Sequence, residues 1–215
     1  MEQIPEESED SNLHNKSLNP NLSKTEIYDK WADTYDSYVG KLNYQGPDNL
    51  AKELKDFLDG FPNKQLKILD FGCGTGLLGV AINKTLGGQY FFDIDGIDIS
   101  EKMIQKSHEK NVYRRIWQLD LFKEVLPQQH QYDVIVSSGV FLEGHVSFRM
   151  IDILLNSINP FGYIFFTLRE TFKNKNKDEY NHYVTENIRM EILYDFNIQY
   201  LPDVKCRLVI AKKLF

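Results

Sequence analysis

The residues with the clearest chemical spacing in this chain of 215 are three carboxylates and a run of glycines. Asp70, Asp98 and Asp120 each close a short apolar run, and Gly72, Gly74 and Gly76 follow the first of them. Glycines at the end of a strand permit a tight turn and let a ligand approach the backbone. They lead into a helix start, whose free N–H groups attract a polar or negative ligand end. The spacing Gly74-x-Gly76-x-x-Gly79 also satisfies the dinucleotide fingerprint, with Asp98 standing 19 residues beyond Gly79. The surrounding charges separate the two readings. A carboxylate two residues before Gly72 repels a pyrophosphate and suits an ammonium. Asp98 is placed to hold two ribose hydroxyls, and Asp120 puts a third acid on the same rim, with no Lys or Arg in the turn. A cationic adenosine ligand fits this set better than a diphosphate, which points to S-adenosyl-L-methionine. Asp93 and Asp95 compete with Asp98, but neither is followed by a helix cap.

Other side chains carry weaker signals. Tyr28, Trp31, Tyr35 and Val39 recur on one helical face. Their rings can cover a sulfonium by cation–π attraction or pack on the domain, and one helix can do both. Glu143 and His145 follow the run 132–137, where such folds place acceptor-side groups. The ordinary pKa of His145 suits proton removal; the alternative is a plain hydrogen-bonded histidine. His14, His108, His130 and His182 have no such placement. Cys73 reads as packing within the turn, and with Cys206 it forms neither a CxxC pair nor a metal-ligand spacing. A reducing compartment is expected.

The elements that must position these groups alternate. Helices are expected at 24–39 and 47–58, the second closed by Pro62-Asn63, followed by a strand at 66–71 and a helix at 77–86. A strand at 91–97 precedes a helix at 101–110 capped by Ser100. Strands at 112–119 and 132–137, a helix at 147–158, a turn at 159–162 and a strand at 163–168 continue the pattern. A helix near 178–195 precedes a hairpin formed by 196–201 and 205–211. This alternation predicts an α/β fold: a Rossmann-like, doubly wound, mostly parallel seven-stranded sheet with helices on both faces and a C-terminal antiparallel strand. Residues 1–23 are acidic and poor in apolar side chains, so they read as a disordered tail. The domain then spans 24–215, with 24–60 as a helical cap.

Ile68-Leu69-Asp70-Phe71-Gly72-Cys73-Gly74-Thr75-Gly76 resembles the first motif of class I S-adenosylmethionine-dependent methyltransferases. Gly96-Ile97-Asp98-Ile99-Ser100-x-x-Met103 is similar to their second-strand motif, and Asp120-Leu121 to the third. Tyr132-Asp133-Val134-Ile135-Val136-Ser137 and Asn159-Pro160-Phe161-Gly162 match the following strand and turn. Tyr28-Asp29-x-Trp31-Ala32-x-x-Tyr35-Asp36 and the stretch 139–146 resemble, more narrowly, the small methyltransferases named after the Williams–Beuren deletion region. The resemblance implies that Asp70, Gly72, Cys73, Gly74, Thr75 and Gly76 face the methionine end. It sets Asp98 at the ribose and Asp120 with Leu121 at the adenine, with Ile99, Met103, Ser137, Tyr28 and Tyr35 as further cofactor-binding candidates. His145 is then the candidate catalytic base.

The formal net charge of -6 gives no support to a nucleic-acid partner, since phosphate binding needs a basic face. Lys173, Lys175 and Lys177 form the densest basic run and read as a solvated loop. The N-terminus carries no secretory pattern, and no stretch is apolar enough to span a membrane. The expectation is a cytoplasmic methyltransferase for a small-molecule acceptor; the sequence does not name the acceptor or the oligomeric state. The competing readings are an NAD-dependent oxidoreductase and a non-catalytic scaffold that binds S-adenosylmethionine.

Overall fold

The computed structural model describes residues 8–60, 65–126 and 131–215. Seven strands form one sheet: β1 Leu66–Phe71, β2 Phe92–Asp98, β3 Arg115–Gln118, β4 Tyr132–Phe141, β5 Ile158–Leu168, β6 Met190–Leu201 and β7 Val204–Lys213. Their order across the sheet is β3-β2-β1-β4-β5-β7-β6. β7 runs antiparallel to both β5 and β6, and the remaining pairs are parallel. The expected doubly wound sheet is therefore present, with its one reversed strand placed inside the C-terminal hairpin.

Alternation along the central strands divides the core. Leu69, Ile135, Ile164 and Phe166 project to one face and pack with Ile151 and Leu154 of α7 (Met150–Leu155). Ile68, Val134, Val136 and Phe165 project to the other. There they meet Leu50 and Leu54 of α4 (Gly46–Leu58) and Ile82 of α5 (Leu77–Leu86). Strands covered on both faces read as nearly continuous apolar runs. This is why β1 and β4 were legible in the sequence. The expected stop of the second helix at Pro62-Asn63 lies outside the described residues.

Several boundaries differ from the sequence reading. β3 keeps four residues of the expected 112–119, and α7 keeps six of 147–158. The turn at 159–162 is looped out inside β5: Tyr132 pairs with Ile158 and Val134 with Tyr163. Phe161 takes a left-handed φ of 64° there. The helix expected near 178–195 is replaced by α8 (Glu170–Lys175), α9 (Lys177–Tyr180), one π-helical turn (Asn181–Thr185) and then β6. Residues 190–201 in fact alternate with period two, and Leu193 is an extra residue in the β6·β7 ladder. That bulge moves the apolar side chains from one face to the other, while the alternation along the sequence continues.

The N-terminal region is the larger correction. Of the expected disordered tail, residues 1–7 lie outside the described residues, but 8–23 are folded. Ser8 caps α1 (Glu9–Ser17) and accepts from Ser11 N. Leu13 packs with Ile27, Trp31 and Met103. One buried leucine and an aromatic partner surface supply what the composition of the segment lacks. The expected single helix at 24–39 is two, α2 (Lys24–Trp31) and α3 (Tyr35–Lys41). The break at Thr34 is fixed by its hydroxyl donating to Asp10 of α1.

Candidate active site

In an open α/β sheet the ligand crevice lies beyond the carboxyl ends of the strands, where strand order reverses. Here the reversal falls between β1 and β4. A cleft opens at that point, walled by Phe71, Gly72 and Gly74 after β1, Ile97, Asp98 and Ile99 at the end of β2, and Leu119 after β3. Ser138, Gly139 and Val140 of β4 form the opposite wall, and Lys24, Tyr28, Tyr35, Met103, His145 and Val146 complete it.

Asp98 organises the floor. Its Oδ2 accepts from Gly74 N at 2.8 Å and its Oδ1 from Ser100 N at 2.9 Å. Burial raises its pKa, opposed by these backbone donors. A carboxylate has about four lone-pair sites, so acceptor capacity remains for a ribose hydroxyl. Gly74 has a φ of 53°, and a side chain built there would meet nothing within 4 Å, so the turn presents bare backbone to open space. The third glycine of the fingerprint has another reason. A Cβ on Gly79 would lie 2.5 Å from the phenol of Tyr113, which needs that space.

Tyr113 donates to Asp70 Oδ2 at 2.6 Å, beneath the turn. Asp70 is 1% exposed, its Oδ1 has no hydrogen-bond partner among the described residues, and burial pushes its pKa up to about 7. It does not line the cleft. Ser137 also stays below, donating to Phe71 O at 2.9 Å. Cys73 packs against Gly96, and burial pushes its thiol up. Thr75 and Gly76 face away from the cleft toward the lid and α6 (Glu101–Glu109). Asp120 accepts from Phe122 N and pairs with Lys123, and Leu121 belongs to the core. Of the sequence-expected residues, Tyr28, Tyr35, Gly72, Gly74, Asp98, Ile99, Met103 and His145 are brought together in the cleft. Asp70, Cys73, Thr75, Gly76, Asp120, Leu121 and Ser137 support its walls instead. Asp93 and Asp95 are taken by Arg114.

The N-terminal helices form a lid pinned at two aspartates. Asp29 accepts from Ser100 Oγ at 2.6 Å and Lys102 N at 3.2 Å. Asp36 accepts from Thr75 Oγ1 at 2.5 Å and Lys110 Nζ at 2.7 Å, while Lys110 also reaches Thr75 O at 2.6 Å. Trp31 is buried, and Tyr28 and Tyr35 turn into the cleft, so the aromatic stripe both packs and faces a ligand.

His145 sits differently from a free base. Its Nδ1 lies 3.0 Å from Glu143 O, which can only accept, so Nδ1 carries the proton. Its Nε2 then accepts from the phenol of Tyr28 at 2.7 Å. Burial lowers its pKa to about 4, and burial raises that of Tyr28. The ring is neutral at physiological pH. The loop is held from outside as well: a Cβ on Gly144 would lie 2.8 Å from the carbonyl of Leu18.

Beyond Tyr28, Tyr35 and Gly139 lies a second chamber, lined by His14, Trp31, Tyr38, Tyr44, Leu142, Arg169 and Tyr200 among others. Sequence reasoning missed Arg169 and Tyr200, which lie far along the chain outside any motif. It missed Lys24 and Leu119 too, although the flanking runs were quoted. No helix among the described residues is long and apolar enough to cross a membrane.

Comparison with known proteins agrees with this geometry. Residues 69–160 match the methyltransferase domain family. Human Methyltransferase-like protein 27 is 31% identical over 157 residues, covering 72% of this chain and 62% of that one. A malonyl-[acyl-carrier protein] O-methyltransferase of Priestia megaterium is 28% identical over 68% of this chain and 50% of its own length. The chain thus spans 62% and 50% of the length of these two curated relatives. Among solved structures, the plantazolicin methyltransferase BpumL, in complex with a pentazolic desmethylPZN analog and SAH, superposes with a TM-score of 0.66. That match covers 97% of this chain and 100% of the other at 15% identity, which speaks to the fold. The methyltransferase domain matched over residues 69–160, the order of the motifs and the sheet topology are similar to those of class I S-adenosylmethionine-dependent methyltransferases.

Proposed function

We propose that this chain transfers the methyl group of S-adenosylmethionine to a small-molecule acceptor. The observation that carries the reading is the open Gly74 turn over Asp98, beneath Tyr28 and Tyr35, in a cleft whose described lining holds Lys24 as its one Lys or Arg. Lys110, the nearest base to the turn, is held by Asp36 and Thr75, and Lys24 donates to Asn19 O at 2.5 Å. When bound, the cofactor supplies a methyl group on a sulfonium whose charge is lost as the methyl leaves.

The work left to the protein is alignment and exclusion of water. Gly72 and Gly74 present backbone to the methionine end, and Asp98 holds the ribose. Ile99, Met103 and Leu119 cover the adenine. Tyr28 and Tyr35 offer aromatic faces to the cation. His145, with a pKa far below the neutral range, is a weak base; it is a positioning residue that fixes the Tyr28 phenol at the boundary between cleft and chamber. The acidic overall charge and the aromatic chamber favour a small acceptor over nucleic acid, and a relative that acts on malonyl-[acyl-carrier protein] is consistent with this. Two free, buried cysteines suit a reducing, cytoplasmic setting.

Calorimetric titration separates this reading from an NAD-dependent one. S-adenosylhomocysteine binds and NADH does not. The reverse result overturns the proposal, as does binding without labelled methyl transfer into any fraction of a cell extract.

A further inference from the structure

The second chamber carries one permanent charge. Arg169 follows β5 directly, its backbone N–H donating to Phe141 O at 3.1 Å, so the side chain leaves a fixed point. The guanidinium carbon lies 5.8 Å from the centre of the Tyr200 ring. No carboxylate comes within ion-pair distance of it among the described residues. The acids nearest in sequence are engaged elsewhere: Glu170 and Asp195 pair with Arg207 at 3.5 and 2.6 Å. Glu143 is bonded to Thr171 and lies 3.7 Å from Lys175 on the outer side, from where Arg169 acts on it only through space.

The rest of the chamber leaves that charge uncompensated. Its wall contains Trp31, Tyr38, Tyr44 and Tyr200 and no Asp or Glu. His14, which donates to or accepts from Tyr38 at 2.9 Å, is held neutral by burial first and by Arg169 second. A half-buried guanidinium facing rings gains some cation–π attraction, yet its planar donors remain without the carboxylate geometry they match best. The Tyr200 ring also measures the chamber. One face is turned to Arg169, while its hydroxyl lies 3.2 Å from where a Cβ on Gly139 would stand. Gly139 lines both chamber and cofactor cleft. An occupant held at Arg169 therefore brings its far end to the methyl-donor side across roughly one phenol ring.

We propose that this chamber selects a methyl acceptor with a carboxylate, bound by Arg169, on a flat apolar body whose opposite end carries the nucleophile beside Gly139. The proposal rests on the methyltransferase reading and names its substrate class. The other small-anion chemistry that Arg169 could take, a phosphate, is an outcome of the test.

The probes are para-hydroxybenzoate, its uncharged amide and para-hydroxyphenyl phosphate, each titrated calorimetrically into the full chain saturated with S-adenosylhomocysteine. The carboxylate is expected to bind at least about tenfold tighter than the amide, as a charge-assisted bidentate pair allows. Arg169→Gln levels the two, Arg169→Lys keeps part of the preference, and S-adenosylhomocysteine affinity stays within about twofold in both. Equal binding of acid and amide, no saturable binding of either, or a preference that survives Arg169→Gln overturns the assignment. A tighter phosphate than carboxylate overturns it in favour of a phosphorylated acceptor. Failure to bind S-adenosylhomocysteine at all sinks the methyltransferase reading itself, whereas normal binding with no acid preference sinks the Arg169 assignment alone.

Discussion

The phenol of Tyr28 and the imidazole of His145 meet at 2.7 Å across 117 residues of chain, joining the lid to the loop after β4. The bond exists only while the ring is neutral at Nε2. Its folded pKa of about 4 lies below the ordinary histidine value of 6.5, so the unfolded chain binds the proton first as pH falls. Stability from this site is full above about 6.5 and is lost as pH drops toward 4. His14 shifts the same way and adds to the slope. Urea denaturation of His145→Gln across this window should show a flatter profile than wild type. An unchanged slope would remove His145 from the account.

Tyr28→Phe leaves Nε2 buried without its donor, which costs about 1–2 kcal/mol. The variant should retain most cofactor affinity and lose turnover. Unchanged turnover with a working acceptor would deny the phenol a positioning role.

Asp98→Ala removes the acceptor of Gly74 N and Ser100 N together with the proposed ribose contact. Affinity for S-adenosylhomocysteine should weaken by about 1–3 kcal/mol through lost charged hydrogen bonds. Calorimetry on a folded variant checks this, and wild-type affinity would exclude the ribose assignment.

Asp36 latches the lid to the glycine turn from a partly exposed position, its side chain 42% accessible. Solvent screening limits such a pair to under about 1 kcal/mol of stability. Asp36→Ala should therefore leave the melting temperature nearly unchanged, while hydrogen exchange across residues 24–41 accelerates. Unaltered exchange there would show that the Asp29 contacts and the packing of Trp31 hold the lid without Asp36.

Asp70 shifts in the opposite sense from His145. Its folded pKa of about 7 stands above the ordinary 3.8, so the folded state keeps its proton longer. That contribution is complete below pH 3.8 and is lost as pH rises through about 7. Asp70→Asn keeps an acceptor for Tyr113 and removes the ionisation, so its stability relative to wild type should rise between about pH 4 and 7 by up to a few kcal/mol and level off above. A constant difference would show that Asp70 is ionised throughout.

The sequence by itself determined the sheet and the cofactor motif, because both are local. Strands buried on two faces announce themselves as apolar runs, as Ile68-Leu69 and Val134-Ile135-Val136 do, and a glycine turn needs its residues adjacent. Ser100 capping Met103 N was legible for the same reason. Tertiary structure decided the rest. An acidic segment became α1 because Leu13 finds Ile27 and Trp31, a gain that composition cannot register. Asp70, a motif acid, was turned beneath the site because Tyr113 reaches it through the space left by Gly79. The period-two run at residues 190–201 is unbroken in the sequence, and pairing with β7, through two register shifts, decided that it is a strand. Arg169 and Tyr200 belong to no motif and share a chamber with Tyr44 only because β5, β6 and the N-terminal helices converge on Gly139. A pattern read along the chain records spacing within an element, and side chains from separate elements meet only when packing chooses which faces touch.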